Sequence, residues 1–284
     1  ADDIRDRILG WQEHPLIDQI KLQCADITRK YASHDVVFAP RKISLEELPA
    51  MVDGVFIALH GRPGEDGQLQ MYLDAMHIPY NGSGVASSKV TIDKHRTLQT
   101  LKKNGFPVAD QLIIKREEYK AGAETCYKHI EDQFGYPLVA KPVDDGCSSA
   151  VKVIRNRTEL EAFVQLMFRP FSEEGLEQRK LLQLKPKEEF PRKDEILFEN
   201  LISRNGAGHF LEITGGLLTH YNMDGTLRYE VFEPSETLAT GEVLSLEEKF
   251  LAGEGQNITP ARFSPNKSVY QKIAAQVKGD LERA

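Results

Sequence analysis

Long apolar runs are missing from this chain. No stretch approaches the ~18 apolar residues that a bilayer crossing needs, and no basic segment followed by an apolar one stands at its start. These absences speak against a membrane partner and for a soluble protein of the cell interior. Cysteine is scarce as well. Cys24, Cys126 and Cys147 are the three present, far apart and without CxxC spacing, so neither a zinc site nor a disulfide framework is indicated. A reducing cytoplasm is the matching compartment. The third shortage is positive charge: 36 Lys and Arg stand against 43 Asp and Glu, a net of −7. A nucleic-acid surface needs a basic stripe that releases counterions, so no nucleic-acid partner is expected. An anionic ligand must be met by a few placed lysines.

What is present is the composition of an ordinary globular protein. With 40% hydrophobic and 28% charged residues, nothing suggests a disordered chain. Its 284 residues suffice for two or three compact units, each with a buried core. The chain opens at Ala1 and stops at Ala284 inside a helical pattern, so it is expected to be a piece of something longer.

A loose apolar pattern predicts a helix over 12–32, and "DVVFAP" (35–40) reads as a short strand. Ser44 and Glu47, at capping-box spacing, open a helix at "SLEEL". "GVFIAL" (54–59) is the best buried strand of the first part. It runs into "HGRPGEDGQLQ" (60–70), where glycine and proline punctuate a loop before a helix at about 68–77. In an open α/β sheet, that junction is where ligands bind. A Gly- and Ser-rich connection (78–88) leads to a helix over about 88–104, with Gly105 as its cap and Pro107 preventing continuation. This is the first candidate domain boundary.

Strand-like runs follow at 108–114, 136–143 and 150–154, then a helix opened by Thr158 and Glu161. The charged, Pro-containing stretch 170–194 reads as an exposed excursion. "EILFENLI" (195–202) is another strand, and a hairpin forms around "NMDG". Residues 235–266 read as a long functional loop. The last helix starts with Ser264 and Pro265, and carries Val269, Ile273, Val277 and Leu281 at spacings of four.

Four places hold residues able to do chemistry. Lys141 ends a strand and is followed by "DDGCSS", which puts a positive charge beside free backbone N–H groups, as a nucleotide's phosphates require. No Walker P-loop is present. Glu199 is an acid within an apolar strand, Asp93 and Lys94 stand at a helix start, and His60 closes a strand. Each has a plain structural alternative when read alone. Lys141 could be a surface lysine and Glu199 an edge-strand carboxylate facing water. Asp93 and Lys94 could form a solvated face, and His60 could be a satisfied histidine.

Taken in order, these features resemble the D-alanine–D-alanine ligases of the ATP-grasp superfamily along nearly all of residues 53–263. "LHGRPGEDGQLQ" is similar to that family's HGxxGEDGxxQ signature, and "IPYNGSGVASSKVTIDKHRTLQTLKKNGFPV" to its IPYTGSG…S…DK…G.PV segment. "FGYPLVAKPVDDGCSS" is similar to its phosphate-side segment, and "ILFENLI" to its adenine-side strand. The resemblance implies an α/β protein, α+β in part, with the ATP-grasp fold. It implies a substrate-side α/β domain over 1–90, a central ATP-grasp domain over 91–194, and part of a carboxy-terminal domain over 195–284. That last part includes a mobile ω-loop at 235–266.

The same resemblance implies roles. Lys94 and Lys141 would contact nucleotide phosphates, and Lys249 of the ω-loop would join them. Glu199, with the backbone up to Ile202, would meet the adenine edge, and Glu212 the ribose hydroxyls. Cys147 and Ser148 would lie on the loop closing over the phosphates. His60 and Glu65 would place the first D-alanine. The implied reaction uses ATP to turn one D-alanine into an acyl phosphate, which the amine of a second D-alanine captures to give a peptidoglycan precursor. A cytoplasmic homodimer follows by family analogy.

Departures are also legible. Residues 1–34 do not match the family's amino-terminal Gly-rich segment. The carboxy-terminal R.DF…E.N..PG block, which holds two Mg²⁺ ions in the family, is absent, so no metal ligand is assigned within this chain. Without it, this chain alone is expected to have negligible ligase activity. Phe250 stands where the ω-loop usually has Tyr, and Cys147 where Ser is common. Relatives with Phe there include D-alanine–D-lactate ligases, so a depsipeptide product is an alternative. A catalytically dead nucleotide-binding or scaffold protein is another. A different ATP-grasp carboxylate–amine ligase is disfavoured by the HGxxGEDG match.

Overall fold

The structure is a computed structural model. It describes residues 43–238 and 257–284 except 147, 148, 186, 187, 189, 205 and 209, together with Gln19, Leu22, Gln23, Ala25 and Arg29. These five positions of the helix expected over 12–32 are helical. The rest of that helix, "DVVFAP" and most of the expected ω-loop lie outside the described residues. The chain divides into two compact units, 1–53 and 54–284. In the first, the helix expected at 44–48 is a short 3-10 helix, Leu45–Ala50, and the Ser44 N–H donates to the Glu47 carboxylate at 2.8 Å. Pro49 lies inside it and offers no N–H for an α-turn.

The second unit opens with a correction. "GVFIAL" forms no buried strand among the described residues. Val55 makes one parallel bridge to Tyr80, and Phe56 is 81% exposed. The ladder stops early because the Asn81 side chain, not a second strand's carbonyl, takes the Ile57 N–H at 2.6 Å. Helices α1 (Gln68–Ala75), α2 (Val85–Thr91) and α3 (Lys94–Lys103) follow. The single helix expected over 88–104 is thus two. Asp93 separates them, since its carboxylate accepts the Arg96 N–H at 2.9 Å as an N-cap and holds its own backbone extended.

The central sheet contains β1 (Gln111–Lys115), β2 (Leu138–Pro142), β3 (Lys152–Ile154) and β4 (Glu195–Asn200). Its order is β1-β4-β2-β3 and every pairing is antiparallel. Strand alternation splits its side chains by face. Ile114, Leu138, Ala140, Ile154, Ile196 and Phe198 enter the main core. The register puts Gln111, Val139, Lys141, Leu197 and Glu199 on the opposite face. Helices α4 (Arg116–Ala121), α5 (Ala123–Phe134) and α6 (Arg157–Phe168) connect the strands, and the latter two cover the core face with Ile130, Leu160, Phe163 and Met167. The cap of α6 is Asn156, two residues before the expected Thr158, and it accepts the Glu159 N–H at 2.9 Å.

The expected excursion at 170–194 is only partly outside. It carries a short helix, α7 (Leu176–Leu181), and sends Leu182 and Phe190 into the core, where Phe190 meets Phe163 edge-on at 5.2 Å. Beyond β4, strands β5 (Glu212–Thr214), β8 (Ser235–Thr237) and β9 (Asn257–Ile258) form a second sheet. The hairpin around "NMDG" is β6 (Leu217–Tyr221) with β7 (Leu227–Val231). Helix α8 (Lys267–Arg283) packs Ala274 against Ala261 and Phe263. Its cap is Asn266, not Ser264, and the side-chain oxygen accepts from the Ser268 and Val269 N–H groups at 3.0 and 3.1 Å. Asn266→Ala is expected to lower stability by about 1 kcal/mol. A urea titration tests this, and an unchanged midpoint would show that the cap contributes nothing.

Candidate functional site

The loop between His60 and α1 is folded tightly on itself. A Cβ at Gly64 would lie 2.4 Å from that of Leu59, and Gly67, at φ +84°, would bring one within 2.9 Å of the Val85 carbonyl. Only glycine fits both constraints. The Glu65 carboxylate turns back to accept the Gly61 N–H at 2.6 Å and stands 3.7 Å from His60 Nδ1. Asp66 is buried and accepts from Arg62 at 2.9 Å, the Gln68 N–H at 3.0 Å and the Gln68 side chain at 2.7 Å. Gln70 Nε2 donates to the Gly64 carbonyl at 2.7 Å and closes the loop.

This loop forms one wall of a pocket of about 440 Å³, within the 54–284 unit. Glu65, Gln70, Asn81, Lys94, Asp145 and Gly146 line it. Lys94 is the first residue of α3, and its N–H donates to the Val143 carbonyl at 2.9 Å. Its ammonium donates to the Asp145 carbonyl, so the lysine lies against the turn after β2. Burial and then the charge of Lys141 pull the Lys94 pKa down to about 8, although Asp145 and Asp144 oppose them.

Lys141 projects from β2 and pairs with Glu199 of β4 at 2.6 Å. The other Glu199 oxygen accepts from Gln111 of β1 at 3.1 Å. Because β4 is flanked by β1 and β2, Glu199 is a buried carboxylate in the middle of the sheet, not an edge residue facing water. The reading of Lys141 as a plain surface lysine fails for the same reason.

Several residues of the site gave no signal in the sequence. Asp144 accepts from Lys193 at 3.0 Å and Arg62 at 2.8 Å. Burial alone would raise its pKa, yet the hydrogen bonds from Lys193 and Arg62 more than offset this and hold it below the usual carboxylate value. Lys193 also approaches Asp145 at 3.5 Å. The paired acids after a strand were the only hint of this cluster, since their cationic partners lie far away in sequence.

The structure brings together Glu65 and Lys94 in one pocket, with His60 beside Glu65, and Lys141 with Glu199. Ile202 follows β4 as an exposed residue and Glu212 lies exposed on β5. Neither is among the residues that line the pocket. Cys147, Ser148, Lys249 and Phe250 lie outside the described residues. A nucleotide fits the described cations, because the Lys94 ammonium rests on a carbonyl and the Lys141 ammonium on one carboxylate, both of which phosphate oxygens can replace. A metal ion does not fit: no group of three or more His, Cys, Asp or Glu among the described residues could hold one.

Family descriptions cover both the loop and Lys141. That of the D-ala D-ala ligase N-terminus matches residues 10–83, and that of the D-ala D-ala ligase C-terminus matches 100–180. The chain belongs to the D-alanine–D-alanine ligase family. A D-alanine–D-alanine ligase of Leptospira interrogans is 30% identical over 212 residues, 75% of this chain and 52% of the relative. One of Syntrophobacter fumaroxidans is 31% identical over 213 residues, 75% of this chain and 57% of the relative. The solved VanG D-Ala:D-Ser ligase of Enterococcus faecalis superposes with a TM-score of 0.54 at 24% identity, over 80% of this chain and 55% of that one. This likeness shows the ATP-grasp fold. The ligase-family chain thus spans about half the length of the curated relatives it matches. The family match begins at residue 10, well before the motifs that carry the resemblance over 53–263. A loose apolar pattern there carries family likeness without a short motif to mark it.

Proposed function

We propose that the whole protein joins two D-alanines with ATP, through an acyl phosphate, and that this chain supplies the first-substrate loop and two phosphate-binding lysines. The observation that carries the reading is the pocket shared by Glu65, Lys94 and Gly146, with the Lys141 charge close enough to depress the Lys94 pKa. In this reading His60 and Glu65 hold the first D-alanine. A carboxylate oxygen of that D-alanine attacks the γ-phosphorus as the bond to ADP breaks. The free amine of the second D-alanine then attacks the acyl carbon, phosphate leaves with the bonding pair, and the nitrogen loses a proton.

Lys94 and Lys141 draw the phosphates toward the turn carrying Gly146, where they neutralise charge that would repel the attacking carboxylate. Glu199, freed from Lys141 when phosphate arrives, is available to the adenine edge together with the backbone up to Ile202, and Glu212 to the ribose. Cys147 and Ser148, with Lys249 and Phe250 of the ω-loop, are assigned to closure over the phosphates. Mg²⁺ belongs to the family's chemistry, where it neutralises phosphate charge, and no step is assigned to it on the residues of this chain. The layout that goes with this reading is a substrate-side domain (1–90), a central domain (91–194) and part of a carboxy-terminal one (195–284). The setting is a cytoplasmic homodimer serving peptidoglycan synthesis. No described helix is long and apolar enough to cross a membrane.

The test is ATP-dependent phosphate release by the whole protein with Mg²⁺ and D-alanine, with the product identified by mass. D-alanyl-D-alanine is expected. Nucleotide binding without any product would overturn the reading in favour of a scaffold protein, and D-alanyl-D-lactate as the main product in a D-lactate competition would reassign the acceptor. Lys94 adds a pH signature. Its phosphate-binding form is the protonated one, which prevails below about 8. Above that pH, kcat/KM for ATP is expected to fall by about tenfold per unit. Lys94→Arg keeps its charge and removes the fall, and a flat wild-type profile between pH 7 and 10 would contradict the assignment.

A further inference from the structure

Arg62 occupies one of the two unspecified positions in HGxxGEDG, and its guanidinium reaches in two directions. Nη1 donates to the buried Asp66 carboxylate at 2.9 Å within its own loop, and Nη2 donates to Asp144 at 2.8 Å, across 82 residues of sequence. A planar fork can hold two carboxylates at a fixed angle, as an ammonium cannot. Asp144 is also held by Lys193, and the next residue, Asp145, receives the Lys94 ammonium on its carbonyl.

Both ends of this bridge are one peptide bond from a pocket wall. Glu65 precedes Asp66, Asp145 follows Asp144, and Glu65 and Asp145 line the 440 Å³ pocket. Arg62, Asp66 and Asp144 line a different cleft, of about 600 Å³, so the bridge acts from behind the wall. A displacement of either loop is passed to the other through two charge-assisted hydrogen bonds.

We propose that Arg62 is a positioning residue that couples the first-substrate loop to the phosphate turn, so that amino acid and nucleotide each favour binding of the other. The role rests on the ligase reading above. Coupling of this kind is reciprocal: whatever loosens the bridge weakens both ligands.

Steady-state kinetics on the whole protein test it. Arg62→Ala is expected to raise the KM values for ATP and for the first D-alanine together, each by about tenfold, with kcat changed much less. Arg62→Lys, which keeps the charge but loses the fork, is expected to fall between the two and carries the test if the alanine variant folds poorly. Asp144→Asn also weakens the Lys193 contact and should be at least as impaired as Arg62→Ala, and the double variant should be no worse than Asp144→Asn alone, as for one shared interaction. A purely structural role would reduce the amount of active enzyme without moving either KM. Wild-type protein that makes no dipeptide overturns the ligase reading and this role with it. Active wild type with an unchanged ATP KM in Arg62→Ala, or losses that multiply in the double variant, overturns the bridge alone.

Discussion

Lys141→Met is expected to lower unfolding free energy by about 3 kcal/mol and nucleotide turnover by about a hundredfold. The two effects share one cause. Lys141 and Glu199 side chains are 18% and 9% exposed, 2.6 Å apart and in the middle of the sheet. Removing the cation leaves a buried carboxylate with Gln111 as its remaining hydrogen-bond donor in the described contacts. Methionine fills most of the lysine stem's volume, so little of the loss comes from a cavity. Adding Glu199→Gln removes the stranded charge and should recover most of the stability but none of the turnover. Urea titrations of the three proteins read the first effect and phosphate release the second. A single variant as stable as wild type would show that the pair holds nothing.

Phe190→Ala is expected to cost about 3 to 5 kcal/mol. Phe190 is 4% exposed and meets Phe163, itself fully buried, at 5.2 Å. The consequence extends to the site. Phe190 anchors the segment that delivers Lys193 to Asp144 and Asp145 three residues later. A cavity there loosens that delivery, so the KM for ATP should rise with the fall in melting temperature. A destabilised variant whose KM is unchanged would separate the anchor from the site.

How far the sequence revealed these features depends on the distance over which each is decided. Strands β1, β2 and β4 were legible because their apolar residues are consecutive or alternate. Their neighbours were not, and the reading of Glu199 suffered for it: the strand was visible, but its place between β1 and β2 was not. Helix starts were misplaced by a residue or two where several capping residues stand in a row. Asn156 lies beside Thr158 and Asn266 beside Ser264, and only the backbone path chooses between them. "GVFIAL" looked buried because apolarity shows the wish for cover and not its supply. Arg62 and Lys193 were missed because each bonds across a long loop, whereas the glycines of the HGRPGEDG loop act locally and marked it at once.

The strand order has a bearing on how the chain is made. β4 is the last of the four central strands to leave the ribosome, yet it supplies the shared edge for both β1 and β2. Until residues 195–200 emerge, β1 has no partner in the sheet, and the β2 side of the β2–β3 pair presents an open row of N–H and C=O groups that β4 later covers. Closure then requires contacts spanning more of the chain than any hairpin does, a slow step that leaves apolar edges waiting. The nascent protein is therefore most exposed to mispairing while 155–194 is being translated, and a translational pause in that interval prolongs the hazard.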